Sequence, residues 1–338
     1  MTNCYFRAFF SRLDRSLADD LSSIVMTFRT CCVSSRAQVT IGLMLGVYIT
    51  MATRSHFNLM LVDASESFQV PNVHFMLNIV YQVGFMAVQV PSGIWLDGVN
   101  PVPVLGVIVL ALAVSSFISP FTFRAGLLYP SAMLAGINGM IVGCWWPSMG
   151  VMLSNWAPPA ELSCMYSTIN TGIPGGTILG TVIPGIIYTN RNSSDFHHSF
   201  FVLAAACALW GFFWLYAFYG SPLKDPGVGE EELQYLSTHI KPKSELAVPW
   251  KYIATSVPVW SMLLANYGST VFYAALLYYM PVYVKTVLKL DLSQNGFISA
   301  TPPLSQMVVI FITGYVAMVV QKKEWTTVTN IRKVGSPH

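Results

Sequence analysis

The sequence predicts an all-α membrane protein, a bundle of about eight transmembrane helices, and three observations carry that prediction. Charged residues make up only 10% of the 338 and hydrophobic ones 54%, against roughly 25% charged in soluble domains. Charge-poor runs recur along the chain, most of them longer than the roughly 20 residues that span hydrocarbon. Segments of roughly ten residues with alternating polarity, the mark of a membrane β-barrel, do not occur.

Residues 1–37 read as a cytoplasmic N-terminal segment. Arg7, Arg12, Arg15, Arg29 and Arg36 interleave there with Asp14, Asp19 and Asp20, and no apolar stretch has the length of a cleaved signal peptide. Apolar runs centred near residues 45, 84, 111, 140, 175 and 208 make 38–220 a six-helix bundle. The chain then changes character at GSPLKDPGVGEEELQYLSTHIKPKSELAVPW. Rich in Pro, Gly and charge, residues 221–254 form a cytoplasmic linker with a short helix starting at Glu230. Runs near 268 and 306 make 255–320 the first two helices of a second bundle, and 321–338 is a polar cytoplasmic tail.

With the N-terminus inside and eight crossings, thirteen Lys and Arg residues fall on the cytoplasmic side. Four (Arg124, Arg191, Lys285 and Lys289) fall outside, and Arg54 lies within a helix. That bias follows the positive-inside rule. The sequon at Asn192 then sits on an outer or lumenal loop, where it is open to glycosylation. The six cysteines lack metal-ligand spacing, and Cys31 and Cys32 read as free thiols ahead of palmitoylation sites.

Several helices carry packing and hinge signals. In TGIPGGTILGTVIPG, Gly172, Gly176 and Gly180 recur every four residues and let a neighbouring backbone approach closely. Gly139, Gly143 and Pro147 repeat the device in helix four. Pro174 and Pro184 predict kinks whose freed carbonyls need partners. In NWAPPAELS, Pro158 and Pro159 end helix four. Glu161 falls near the start of helix five, where a carboxylate complements the helix dipole, so its expected role is capping and gating contacts and not substrate binding.

Arg54 is the residue that points most directly to function. A permanent cation within a span costs at least about 2.5 kcal/mol on insertion scales, so it faces a cavity and an anion, or else snorkels to the outer surface with His56 and Asp63. Asn78, Gln82, Gln89, Asn138, Asn170, Asn266 and Tyr267 are the other polar groups within spans; each can bond a neighbouring helix or line a cavity. Trp145, Trp146, Tyr273, Tyr278 and Tyr279 read first as packing or interface anchors. No phosphate loop, HExxH, paired-cysteine set or nucleophile elbow occurs, and His197-His198 lacks further ligands. An enzyme, a metal site, a cofactor and a nucleic-acid partner are therefore not expected.

TRSHFNLMLVD, GFMAVQVPSGIWLD, NWAPPAELS, TSVPVWSMLLANY and SQNGFISATPPL resemble, in order, the anion:cation symporter family of the major facilitator superfamily. The resemblance implies a major facilitator superfamily-like helical bundle of twelve helices, of which this chain carries about eight, truncated after the eighth. It also implies alternating-access transport of small organic or inorganic anions, with a proton, sodium or the membrane potential as the drive. The bilayer concerned is then the plasma membrane or a vesicular or lysosomal one.

Arg54 matches the family's helix-one arginine, which implies a role in binding the anionic substrate. Asn78 stands at the helix-two histidine of the vesicular glutamate carriers, and Phe85 at a tyrosine after the helix-two glycine. Ala135 replaces a helix-four arginine, Val142 the nearby glutamate, Gly150 a histidine and Leu162 an arginine. Those losses leave no obvious titratable group in the bundle, which argues against proton coupling; the missing second arginine argues against a dicarboxylate. The candidate substrate-binding set is Arg54, Asn78, Phe85, Asn138, Trp146, Asn266 and Tyr267. The alternative function is a truncated, non-transporting membrane protein that binds or regulates a full-length homologue.

Overall fold

The computed structural model describes residues 34–64, 73–159, 161–190, 197–240 and 250–322, and the regular elements among them are all helical. In chain order they are α1 (Ser35–Ala64), α2 (Val73–Trp95), α3 (Pro101–Arg124), α4 (Leu128–Gly143), α5 (Trp145–Trp156), α6 (Leu162–Asn170) and α7 (Gly172–Asn190). Then follow α8 (His197–Ala217), α9 (Glu230–His239), α10 (Trp250–Thr255), α11 (Val257–Thr286), α12 (Leu292–Ser299) and α13 (Thr301–Lys322). Among the described residues, α2, α3 and His198–Ala217 of α8 are long and apolar enough to cross a membrane. Cys31, Cys32 and Asn192 lie outside the described residues.

Proline sits just past each of four other helix interruptions. Pro147 has no N–H for the carbonyl of Gly143, and α4 gives way to α5 at Cys144. Pro174 stands in the same relation to Asn170, where α6 yields to α7, and Pro258 to Ala254, where α10 yields to α11. Pro302 and Pro303 follow the change from α12 to α13 at Ala300. Two of the freed carbonyls find side chains: the Trp260 indole donates to Ala254 O at 2.8 Å, and the Thr301 hydroxyl to Ile298 O at 2.7 Å. Elsewhere local chemistry starts the helices. Asn100 caps α3 by accepting from the Val102 amide at 3.2 Å, and Asp291 and Gln294 form a capping box on α12.

Close backbone approach sets the packing. On α7, a Cβ at Gly172, Gly176 or Gly180 would run into the carbonyls of Met44, Tyr48 or Ala52 on α1. Gly139 and Gly143 on α4 meet the carbonyls of Tyr81 and Phe85 on α2 in the same way. Without a hydrophobic drive between helices in lipid, such seams let dispersion contacts hold the pair. The third pair, α3 and α8, closes with Gly106 against Leu215, Gly211 against Leu110 and Phe117 against Phe201 at 5.3 Å. Toward Gly42 and Gly46 of α1, Trp210 stacks on Trp214 at 5.1 Å and Trp214 on Phe218 at 4.3 Å. The buried Trp214 indole donates to Val102 O at 3.2 Å, satisfying its polar edge. From this bundle α7 reaches across to α12, where Gly296 lies tight against the Thr181 carbonyl. That contact brings α11 to α13 up to the face of α1 and leaves a space between them.

Candidate functional site

The space is a cavity of about 830 Å³, walled by α1, α5 and α7 on one side and by α11 to α13 on the other. Its size falls within the range of small-molecule sites. Among the described residues that line it, Arg54 carries the only charge. Hydroxyl and amide groups make up the polar remainder, chiefly Asn58 and Thr177 on one wall and Asn266, Ser269 and Gln306 on the other. Trp146 and Tyr273 add aromatic faces. A wall with one cation, neutral donors and no carboxylate is suited to an anion.

The Arg54 guanidinium donates through Nη2 to Gln82 Oε1 at 3.2 Å and sits 5.3 Å from the centre of the Tyr81 ring, a cation–π contact. One turn further along α1, Asn58 Oδ1 accepts from Asn78 Nδ2 at 2.8 Å. Across the cavity the Thr177 and Tyr273 hydroxyls are 3.1 Å apart and link α7 directly to α11.

Of the sequence-predicted set, the structure brings Arg54, Trp146 and Asn266 together on this cavity. Asn78 lies behind its wall, in contact with Asn58. Phe85 packs against the hydrophobic core, because its backbone is part of the α2–α4 seam. Asn138 is buried on α4, where its Oδ1 has no hydrogen-bond partner. Tyr267 is 70% exposed on the outer side of α11, since Asn266 beside it takes the inward position. Sequence reasoning missed Ser55, Asn58, Thr177, Thr181, Ser269 and Gln306. Asn58 had a signal: it stands four residues after Arg54, on the same face of the helix.

A second polar cluster ties down the N-terminal end of α1. Arg36 bridges two carboxylates, Glu161 through Nη1 at 2.5 Å and Glu232 through Nε at 2.9 Å. The same Glu232 accepts from the Ser35 and Arg36 amides at 3.2 and 3.3 Å, and the Tyr235 hydroxyl donates to Glu161 at 3.4 Å. The guanidinium also lies 4.9 Å from the Tyr235 ring. Glu161 therefore does not cap α6 as the sequence suggests; its side chain makes no cap bond and turns to Arg36. Burial alone would lower the Arg36 pKa, but the hydrogen bonds and charges of Glu232 and Glu161 outweigh it and hold the guanidinium above its ordinary value. At the opposite end of α1, Lys285 Nζ donates to Val62 O at 3.1 Å, and Phe75 meets Tyr279 at 5.0 Å.

His56 is 1% exposed, 2.8 Å from the hydroxyl of Ser199 in the first turn of α8 and edge-on to Phe200 at 4.3 Å. Two residues past Arg54 on a helix is the opposite face, so His56 turns to α8 while Arg54 faces the cavity.

A helical bundle in two groups around a central polar cavity defines the class: a multi-pass integral membrane protein of transporter architecture. The chain matches the Major Facilitator Superfamily profile over residues 43–331 and belongs to that superfamily, whose members are transporters and not enzymes. Among curated relatives, it is 29% identical to the chloroplastic ascorbate transporter of Arabidopsis thaliana over 252 residues, 74% of this chain and 46% of that one. It is 27% identical to sialin of Homo sapiens over 236 residues, 69% and 47% of the two chains. With vesicular glutamate transporter 1 of Xenopus tropicalis it shares 24% identity over 310 residues, 90% and 53% of each. The chain thus spans about half the length of the curated relatives it matches. A bacterial homologue of the human lysosomal transporter Spinster, solved inward-facing and unoccupied, shares the fold: TM-score 0.61, 12% identity, 85% of this chain and 63% of that one.

Proposed function

We propose that the chain is the anion-binding part, or the whole, of an alternating-access carrier for small monovalent anions. The N-terminus is cytoplasmic and the anion pairs with Arg54 between the two helix groups. The observation that carries this reading is the 830 Å³ cavity in which Arg54 is the single charged lining residue among those described. One cation favours one negative charge. The helix-four position where the resembling family has a second arginine is Ala135, 0% exposed in the core and unable to reach the cavity. Relatives named for ascorbate and glutamate support an anion in general and leave its identity to experiment.

The test is uptake of radiolabelled ascorbate, glutamate and inorganic phosphate into liposomes holding the purified chain, under imposed sodium, proton and voltage gradients in turn. Arg54→Ala should abolish saturable uptake, and Arg54→Lys should retain part of it because the charge persists without the two-pronged geometry. Equal uptake by wild type and Arg54→Ala would end the proposal. A second reading, a non-transporting chain that binds a full-length homologue, is favoured by the nearly all-round exposure of α11 between Val257 and Leu264. Co-purification with such a homologue and no flux of its own would select that reading.

A further inference from the structure

The cavity shows Arg54 and Asn58 on α1, but both are in contact with residues of α2 that do not line it. Gln82 pairs with Arg54 and Asn78 with Asn58, so two residues one turn apart on α2 meet two residues one turn apart on the antiparallel α1. Tyr81 adds its ring beside the guanidinium. The backbone that carries these three is itself fixed, because the Tyr81 and Phe85 carbonyls are pressed against Gly139 and Gly143 of α4.

We propose that Gln82 is a positioning residue for substrate recognition. It acts through Arg54, resting on the anion-site reading above, and its neutrality sets the charge preference of the site. A glutamine oxygen accepts a hydrogen bond from the guanidinium, and so aims it, without adding an opposing charge. A carboxylate of the same shape would aim the guanidinium equally well and also neutralise it. The added negative charge would weaken the pull of the site on an incoming anion. Asn78 makes the parallel contact to Asn58, donating to its amide oxygen at 2.8 Å and so fixing which end of that amide is the acceptor. Tyr81 contributes its ring and no charge.

The proposal separates charge from shape, and the experiment does the same. The full chain in liposomes is assayed for KM and maximal rate with radiolabelled ascorbate, glutamate and inorganic phosphate, as wild type, Gln82→Glu and Gln82→Met. Gln82→Glu should raise KM on the order of 10- to 100-fold, the range of a hydrogen bond to a charged group, with maximal rate and melting temperature near wild type. Gln82→Met keeps the volume and loses the acceptor, and should raise KM by only a few fold. Unchanged KM in Gln82→Glu, or equal damage in the two variants, would overturn the positioning role, since packing alone would then account for Gln82. A fall in maximal rate at constant KM would do the same. If wild type takes up none of the three anions, the transport reading itself fails and this inference fails with it; damage confined to Gln82→Glu can arise only when that reading holds.

Discussion

Removing the Glu232 carboxylate tests the cluster at the start of α1. In Glu232→Ala, the Ser35 and Arg36 amides lose their acceptor and Arg36 loses one of its two carboxylates. An acceptor at a helix N-terminus is worth about 0.5–2 kcal/mol. A hydrogen bond to a charged group is worth about 1.5–3 kcal/mol. The side chains are partly open to solvent, 19% for Arg36 and 16% for Glu232, and Arg36 keeps Glu161. Screening and that second partner reduce the sum to roughly 2 kcal/mol, a factor of about 30 in the docking equilibrium of α9.

The readout follows from helix length. With only ten residues, Glu230–His239 is too short to persist alone in water, so protection of its amides reports docking and not intrinsic helicity. Hydrogen–deuterium exchange on a peptide covering α9 should accelerate about 30-fold in Glu232→Ala, the factor worked out from the lost contacts. Glu230→Ala, in the same turn but exposed, should leave it unchanged. Equal acceleration in the two variants, or none in either, would refute the view that Glu232 fastens the linker helix to α1.

Two further substitutions probe the packing and the other end of α1. Gly176→Leu places a side chain against the Tyr48 carbonyl and Met51, and overpacking of that kind costs about 1–3 kcal/mol. The melting temperature in detergent should fall, while Gly150→Ala, facing open space, should leave it in place. Lys285→Met removes the donor to the Val62 carbonyl. Labelling of a cysteine at the cavity-lining Ser269 by a membrane-impermeant maleimide added outside should speed up; an unchanged rate would mean that Lys285 does not help close that end.

Much of the architecture was legible because lipid leaves few options. An arginine inside an apolar helix either faces a polar space or snorkels to the surface, and of these two readings the structure shows the first for Arg54. Glycines every four residues could only mean close approach, and the carbonyls of Met44, Tyr48 and Ala52 supply the other side of the seam. Hydroxyls were illegible for a physical reason. Thr177 and Thr181 bond back to Ile173 O at 2.9 Å and Thr177 O at 3.1 Å. A helical threonine can do that whichever face it occupies. Glu161 was illegible because its partner lies 125 residues upstream, and a charge at a helix start satisfies the dipole rule whether or not that rule decides its rotamer.

The interruptions in the helices also bear on function, because three of them come to the cavity. Trp146 follows the break at Cys144, Ile173 the break at Thr171, and Ser299, Pro302 and Pro303 straddle the one at Ala300. Among the described residues α3, which carries Pro120, and α8 contribute no lining residue. A helix short of one backbone hydrogen bond bends at lower cost, so the cavity wall combines the continuous α1, which carries Arg54, with three places where a helix bends easily. Pro147→Ala tests one of these places. Alanine keeps the Cβ, restores an N–H for the Gly143 carbonyl and allows α4 and α5 to join through Cys144. If that bond has to break once per cycle, its net worth of about 1 kcal/mol slows turnover about fivefold. Uptake kinetics should therefore show a lower maximal rate in Pro147→Ala. A maximal rate equal to wild type would mean that the break near Trp146 serves packing alone and that bending during transport occurs elsewhere.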